Sequence, residues 1–311
     1  MMLVTGGSGF IGSAVIRQLD RSAGSPRIRL TRHVRPARTG RADGAGTVHA
    51  DLTRPASLRG ICDGVDTVLH IAARIGGGEE ACRAVNIEGT RALLAEARRA
   101  GVRRIVQVGT AAVYGQGPHR GPAEGQVEPR PTSPTSATRL ESERLVLAAG
   151  GTVVRPYLVY GTGDTWVIPA VARLVRHLPH WVDDGRARVS LVAVDDLAAA
   201  VARLACDRRQ PPGGRVLHGS HPVPVRIRDL VTRVARCLGV APPAGSLTPQ
   251  EAARRAAGLG ADGERHIRML STDHWFSSTR LWESAGLPPG PGFATRFDHY
   301  APWYAAALAE R

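Results

Sequence analysis

Three hundred and eleven residues at 43% hydrophobic and 22% charged suffice for one large domain or two coupled ones, and exclude collagen-like, disordered and membrane-spanning classes. The net charge of +14 comes from 41 basic residues against 27 acidic ones, and all of the basic residues are arginine. Arginine without lysine, beside abundant alanine and glycine, points to a GC-rich genome; with neither a basic block nor an aromatic-interleaved stripe, no nucleic-acid partner is expected.

In chain order, residues 3–5, 27–31, 67–71, 104–108 and 152–155 read as buried strands, and 12–21, 86–100 and 139–149 carry helical periodicity. Strand alternating with helix predicts an α/β fold whose doubly wound parallel sheet is covered on both faces. The chain enters an apolar strand at once, leaving no room for a signal segment, and no uncharged apolar run reaches the roughly 18 residues of a membrane helix. A cytoplasmic protein without a membrane partner is expected. Beyond about residue 160 the regularity weakens, Pro and Gly cluster at 211–214, 222–224 and 242–245, and ten of the fourteen aromatics collect. The Gly- and Pro-rich stretch 115–134 is long for a routine connection and is expected to border a ligand. Cys62, Cys82, Cys206 and Cys237 lack metal-ligand spacing and read as buried free thiols, and His218 and His221 lack a third ligand. No metal is expected.

Between the first strand and the first helix lies Thr5-Gly6-Gly7-Ser8-Gly9-Phe10-Ile11-Gly12. Gly6, Gly9 and Gly12 permit the tight turn, the approach of backbone to a pyrophosphate, and close packing of helix on strand. The unpaired N–H groups and dipole of the helix start then attract an anion. Dinucleotide binding through Gly6, Ser8, Gly9, Phe10, Ile11 and Gly12 follows, and with it a Rossmann-type sheet. The division expected is 1–160 plus 189–210 for the dinucleotide-binding domain, and 161–188 plus 211–311 for a smaller C-terminal substrate-binding subdomain. Where an NAD site ends its second strand with an acidic residue, this chain has Arg32 and Arg35, whose guanidinium groups suit a 2′-phosphate. NADPH is therefore favoured, with NADH the alternative. At Asp51-Leu52 a carboxylate at a strand end is placed to accept from the adenine amino group.

These residues resemble the extended short-chain dehydrogenase/reductase family over roughly the first two hundred positions. The glycine motif and Asp51-Leu52 match in order. His70-Ile71-Ala72-Ala73 is similar to the family's fourth-strand motif, the run from Val85 through Asn86 to Thr90 to its asparagine motif, and Val113-Tyr114-Gly115 to its turn after the fifth strand. Arg155-Pro156-Tyr157-Leu158-Val159-Tyr160-Gly161 resembles the nicotinamide-side motif, and Val194-Asp195-Asp196 a later structural one whose carboxylates read as helix caps. The resemblance implies cofactor contacts at Ile71, Ala72, Ala73, Asn86, Val108, Arg139, Pro156, Tyr157 and Val159. It also makes an oligomer possible, since many relatives dimerise through helices.

The catalytic pattern departs from the family, which uses a Ser or Thr, then a Tyr with a Lys four residues later. Thr110 matches the first position; Thr135 falls where Tyr belongs and Arg139 where Lys belongs, with Ser136 beside them. Threonine is a poor general acid, and arginine cannot tune one as lysine does. General acid catalysis contributes about 10²- to 10⁴-fold, whereas orientation of the reactants contributes on the order of 7 to 11 kcal/mol. Loss of the tyrosine is therefore survivable, most of all for a carbonyl already hydrogen-bonded by a neighbouring phenol. Ser136, Tyr114, His119 and Ser133 read either as proton relays or as loop and capping residues.

The late aromatics, from Trp275 and Phe276 to Trp303 and Tyr304, read equally as subdomain core or as faces for a flat polycycle, with Trp166 and Trp181 better placed to touch a ligand. The pattern is similar to atypical reductases of actinobacterial aromatic-polyketide pathways, which implies NADPH-dependent reduction of an angucyclinone-type polycyclic aromatic ketone. A nucleotide-sugar 4-ketoreductase and a non-catalytic dinucleotide sensor are the alternatives.

Overall fold

The computed structural model describes residues 1–21, 28–32, 46–207, 213–257 and 261–309. Its first half is built from β1 (Met2–Thr5), α1 (Phe10–Arg21), β2 (Ile28–Arg32), β3 (Thr47–His49), β4 (Thr67–His70), α2 (Glu79–Cys82), α3 (Gly89–Arg99) and β5 (Arg104–Val108). There follow β6 (His119–Arg120), α4 (Pro134–Ala148), β7 (Thr152–Arg155) and β8 (Leu158–Tyr160). All residues of β1, β4 and β7 are buried, as strands covered on both faces must be, which explains their apolar centres at Leu3-Val4, Val68-Leu69 and Val153-Val154 and leaves Thr5, His70 and Arg155 at their carboxyl ends to find partners inside.

The second half contributes α5 (Val167–His177), β9 (Trp181–Val182), β10 (Arg188–Val189), β11 (Leu191–Ala193), α6 (Val194–Cys206) and β12 (Arg215–His218). The chain continues through β13 (Val225–Arg226), α7 (Ile227–Cys237), β14 (Ser246–Leu247), α8 (Pro249–Ala256), α9 (Ala261–Ser271), β15 (His274–Trp275), α10 (Thr279–Ala285) and α11 (Phe293–Ala309). Seven strands form one parallel sheet in the order β12-β7-β5-β4-β1-β2-β3. Strand order reverses between β1 and β4, the switch point at whose carboxyl ends open sheets of this kind place a binding crevice.

One face of the sheet is covered by α1 and α6 through Ala14, Val15, Leu19, Ala198, Val201 and Ala205. The other is covered by α3 through Leu93 and Ala97, packed with Leu58, Ile61 and Val68. The rest of the second half forms its own core, in which Ile168, Val171, Leu230, Val234, Phe297 and Tyr304 meet. A small sheet ordered β13-β10-β15-β6 lies beside it.

Four expectations need correction. Residues 215–218, assigned to the subdomain, are the edge strand of the main sheet, and α10 packs Leu281 and Trp282 into the core beneath that sheet. Asp195 and Asp196 stand in the first turn of α6 without a capping bond; Asp195 accepts from the Tyr300 hydroxyl at 2.7 Å and Asp196 pairs with Arg296, clamping α11. Trp181 is buried in the second core beneath the Arg228 guanidinium, whose carbon lies 4.4 Å from the ring centroid. Cys206 is exposed, not buried. Among the described residues no helix is long and apolar enough to cross a membrane, and no group of three His, Cys, Asp or Glu could hold a metal.

Candidate functional site

Steric demand at the start of α1 explains the glycine spacing. Gly6 has φ of 72°, and a Cβ there would lie 2.5 Å from the Ala72 nitrogen. At Gly12 a Cβ would fall 2.1 Å from the Gly6 carbonyl oxygen, so α1 can sit this close to the turn only if that residue has no side chain. Gly9 differs: a Cβ would meet only the Gly6 oxygen, at 3.4 Å. Nothing in the protein needs Gly9 to be bare, so its missing side chain leaves room for an outside group. Ser8 and Gly9 are exposed at the tip, with Phe10 and Ile11 half-buried behind them. A cradle shaped in this way fits a diphosphate at a helix N-terminus.

Most of the other positions expected to touch a cofactor follow the carboxyl ends of β3, β4, β5 and β7. Ile71, Ala72 and Ala73 continue from β4, and the Ala72 N–H donates to the Thr5 hydroxyl at 3.3 Å. Asp51 follows β3; its Oδ1 accepts from the Thr53 N–H and hydroxyl at 2.8 and 2.7 Å. Leu52 packs on Gly89, where a Cβ would lie 2.7 Å from the leucine Cβ. Buried Asn86 staples the loop after β4, accepting from the Arg74 N–H at 2.7 Å and donating to the Arg74 carbonyl and the Thr138 hydroxyl. Val108 ends β5. Pro156 accepts the Ala111 N–H at 2.8 Å, and Tyr157 stacks on His274 with centroids 4.1 Å apart. Val159 is a core residue of β8. Arg35 and the side chain of Arg32 lie outside the described residues.

Behind the crevice runs a buried polar chain. Thr5 hydrogen-bonds His70 Nδ1 at 2.7 Å, His70 Nε2 hydrogen-bonds Thr90 at 3.0 Å, and Thr90 meets Ser142 at 2.8 Å. Burial, assisted by the nearby Arg139 charge, lowers the His70 pKa to about 4, so the imidazole is neutral. In the unfolded chain it titrates near 6.5; below that value the unfolded state binds a proton that the folded state refuses, and stability falls with pH down to about 4. The expected loss between pH 7 and 5 is about 2 kcal/mol from this residue. Urea denaturation at both pH values should show a smaller loss for His70→Gln; equal losses in variant and wild type would remove His70 from the acid limb.

The positions expected to be catalytic gather at the carboxyl end of β5 and the start of α4. Thr110 caps a short 3₁₀ turn at Ala111–Tyr114, its hydroxyl accepting from Ala112 N–H at 3.2 Å. Thr135 accepts the Gly76 N–H at 3.2 Å and so ties the loop after β4 to α4. Ser136, expected at the catalytic site, is a helix cap instead: its buried hydroxyl donates to the Ser133 carbonyl at 3.0 Å and accepts the Ser133 N–H, completing the α4 capping box. Arg139 donates to the carbonyls of Val108 and Gly109 at 2.8 and 2.7 Å.

Tyr114 is buried; its oxygen accepts from Arg155 at 2.8 Å and shares a hydrogen bond with His218 Nε2 at 2.7 Å, and burial pushes its pKa upward. Trp166 is 66% exposed at the head of α5. The loop before it lies against the glycine turn, where a Cβ at Gly163 would approach the Phe10 ring to 3.3 Å.

Sequence reasoning missed Glu143. It is wholly buried, accepts Arg155 Nε at 2.7 Å with one oxygen and the Thr110 N–H at 3.0 Å with the other. The available signal was its place one helical turn after Arg139, on the same face.

The model for the family described as NAD dependent epimerase/dehydratase matches residues 2–217. A 4-hydroxy-2-methyl-3-oxo-4-farnesyl-3,4-dihydroquinoline-1-oxide ketoreductase from Stigmatella aurantiaca is 33% identical over 267 residues, covering 83% of this chain and 78% of its own. A 2-alkyl-3-oxoalkanoate reductase from Stenotrophomonas maltophilia is 29% identical, covering 93% of this chain and 94% of its own. The fold is similar to that of a dTDP-glucose 4,6-dehydratase from Streptomyces venezuelae solved with NAD bound, at a TM-score of 0.76 and 21% identity over 99% of this chain and 98% of that one.

Proposed function

The chain belongs to the NAD dependent epimerase/dehydratase family, and from that premise we propose that it is an NADPH-dependent ketoreductase whose polycyclic aromatic substrate, of the angucyclinone type, polarises its own carbonyl. The coarser statement stands on the family and its relatives: this is an NAD(P)-dependent oxidoreductase. Support for the finer one comes above all from the expected catalytic positions, where threonine, a poor general acid, stands at 110 and 135 and the other hydroxyls are tied into the fold. Thr135 holds the Gly76 loop, Ser136 completes a helix cap, and Tyr114 is buried between Arg155 and His218. Removing a general acid forfeits about 10²- to 10⁴-fold, which an intramolecular hydrogen bond from a neighbouring hydroxyl restores. The Stigmatella relative supports this, since its name describes a ketone beside a hydroxyl-bearing carbon on a fused ring.

Gly6, Gly9 and Gly12 would hold the diphosphate, Asp51 the adenine, Arg32 and Arg35 the 2′-phosphate, and Arg139 the nicotinamide ribose; the bound cofactor supplies a hydride. The substrate's neighbouring hydroxyl would give its proton to the carbonyl oxygen as the carbon accepts the hydride, and solvent would return that proton when the product leaves; the protein's part is to fix the ketone against the end of β5. Single-turnover absorbance with NADPH should show oxidation by a hydroxylated polycyclic ketone, which should also quench tryptophan fluorescence through Trp166. Oxidation by a keto sugar of UDP or dTDP alone would overturn the reading in favour of a nucleotide-sugar reductase. Replacement of Thr135 by alanine should lower turnover less than about tenfold, well short of a general acid's worth. A thousandfold drop with unchanged ketone binding would make Thr135 the proton source.

A further inference from the structure

We infer that Glu143 is a positioning residue that balances the charge of Arg139 at the nicotinamide end of the crevice, so that the site accepts the positive ring of the oxidised cofactor. The inference rests on the dinucleotide reading. Arg139 occupies the lysine position, and a guanidinium keeps its charge in proteins. Its contacts with the Val108 and Gly109 carbonyls set that charge at the carboxyl end of β5. Glu143 arrives at the adjoining Gly109 and Thr110 from one turn further along α4. One of its oxygens accepts the Thr110 N–H, and Gly109 must be bare to admit it, because a Cβ there would lie 2.1 Å from Glu143 Oε1. The other oxygen is taken by Arg155.

Glu143 pairs directly with Arg155 and lies with Arg139 against Gly109; two guanidinium groups thus stand beside one buried carboxylate, and replacing it by an amide would add one positive unit of local charge. Reduced nicotinamide is neutral and oxidised nicotinamide carries one positive charge. The two forms carry the same phosphates, so a change of charge beside the ring would be felt differentially by the oxidised one.

The test is direct titration of NADPH and NADP⁺, by fluorescence and calorimetry, into wild type, Glu143→Gln, Arg139→Gln and the double variant. Glu143→Gln should raise the ratio of NADP⁺ to NADPH dissociation constants on the order of tenfold. Arg139→Gln should lower it by a similar factor, and the double variant should return it to the wild-type value. A purely structural role would weaken both forms alike, and an unchanged ratio in Glu143→Gln overturns the inference. Should Glu143→Gln fail to fold, Arg139→Gln decides alone: an unshifted ratio overturns it as well. Binding of neither form to the wild type would instead overturn the dinucleotide reading and this inference with it.

Discussion

Arg155→Ala should lose about 3 to 5 kcal/mol of stability, a drop in Tm on the order of 10 °C for a chain of this size. Arg155 is 5% exposed and gives its Nε to Glu143 and an Nη to Tyr114. Deleting it strands a buried carboxylate and takes a donor from a buried phenol at once. Burial already pushes the Glu143 pKa upward, with Arg155 the first of the groups opposing it. The penalty belongs to the orphaned partner, so a second change should relieve it: Arg155→Met with Glu143→Leu replaces the pair by apolar groups and should recover much of the loss. Calorimetric melts of the three proteins decide this. If Arg155→Ala melts within a degree or two of wild type, the pair is not the electrostatic anchor described here.

Gly12→Ala should abolish tight dinucleotide binding. The added Cβ would stand 2.1 Å from the Gly6 oxygen and 2.9 Å from the Gly7 Cα. These are backbone atoms that cannot turn aside, so α1 must retreat and carry its N–H groups away from the phosphates. A displacement of about 1 Å is enough to cost on the order of 10²-fold where placement is the source of binding and rate. Gly9→Ala is the informative companion. Its Cβ meets protein only at 3.4 Å, so the fold should be untouched while the methyl occupies the turn meant for the diphosphate. Denaturation curves and NADPH titrations together should therefore find Gly9→Ala as stable as wild type but impaired in binding. Wild-type affinity in both variants would show that the diphosphate lies elsewhere.

The parts of the fold that could be read beforehand are those where a steric or solvation rule leaves one solution. The central residues of the inner strands, Leu3-Val4 and Val68-Leu69, are buried on both sides and so are apolar, and the glycine turn must be glycine where backbone meets backbone. The start of α4 was harder to see. Its buried positions include Ser136, Thr138, Ser142 and Glu143, polar groups whose burial is repaid by hydrogen bonds, so hydrophobic periodicity has little to detect there. Pro134 and the Ser133 capping box set the helix start at 134, ahead of the periodic stretch that begins at 139.

The edge strand β12 was misassigned for another reason. It pairs with β7 some sixty residues away, in the register Arg215 with Thr152 through His218 with Arg155, and a four-residue strand carries no local sign of its partner. The buried circuit from Glu143 through Arg155 and Tyr114 to His218 escaped notice similarly, since its members come from four distant segments. The departure from the family's Tyr and Lys is legible in the sequence at Thr135 and Arg139, as is the choice between relay and cap at Ser136. The hydrogen bonds add that Ser136 is the cap and that Thr135 tethers a loop.

At the centre of the account stands the assignment of carbonyl polarisation to the substrate. The direct measurement is the single-turnover rate of NADPH oxidation by the wild-type protein with a ketone bearing a neighbouring phenolic hydroxyl, set against the methyl ether of the same ketone, both at saturation. The account predicts that methylation slows the step by about 10²- to 10⁴-fold, the worth of a general acid. Equal rates for the two ketones would contradict it and return the proton to a group of the protein.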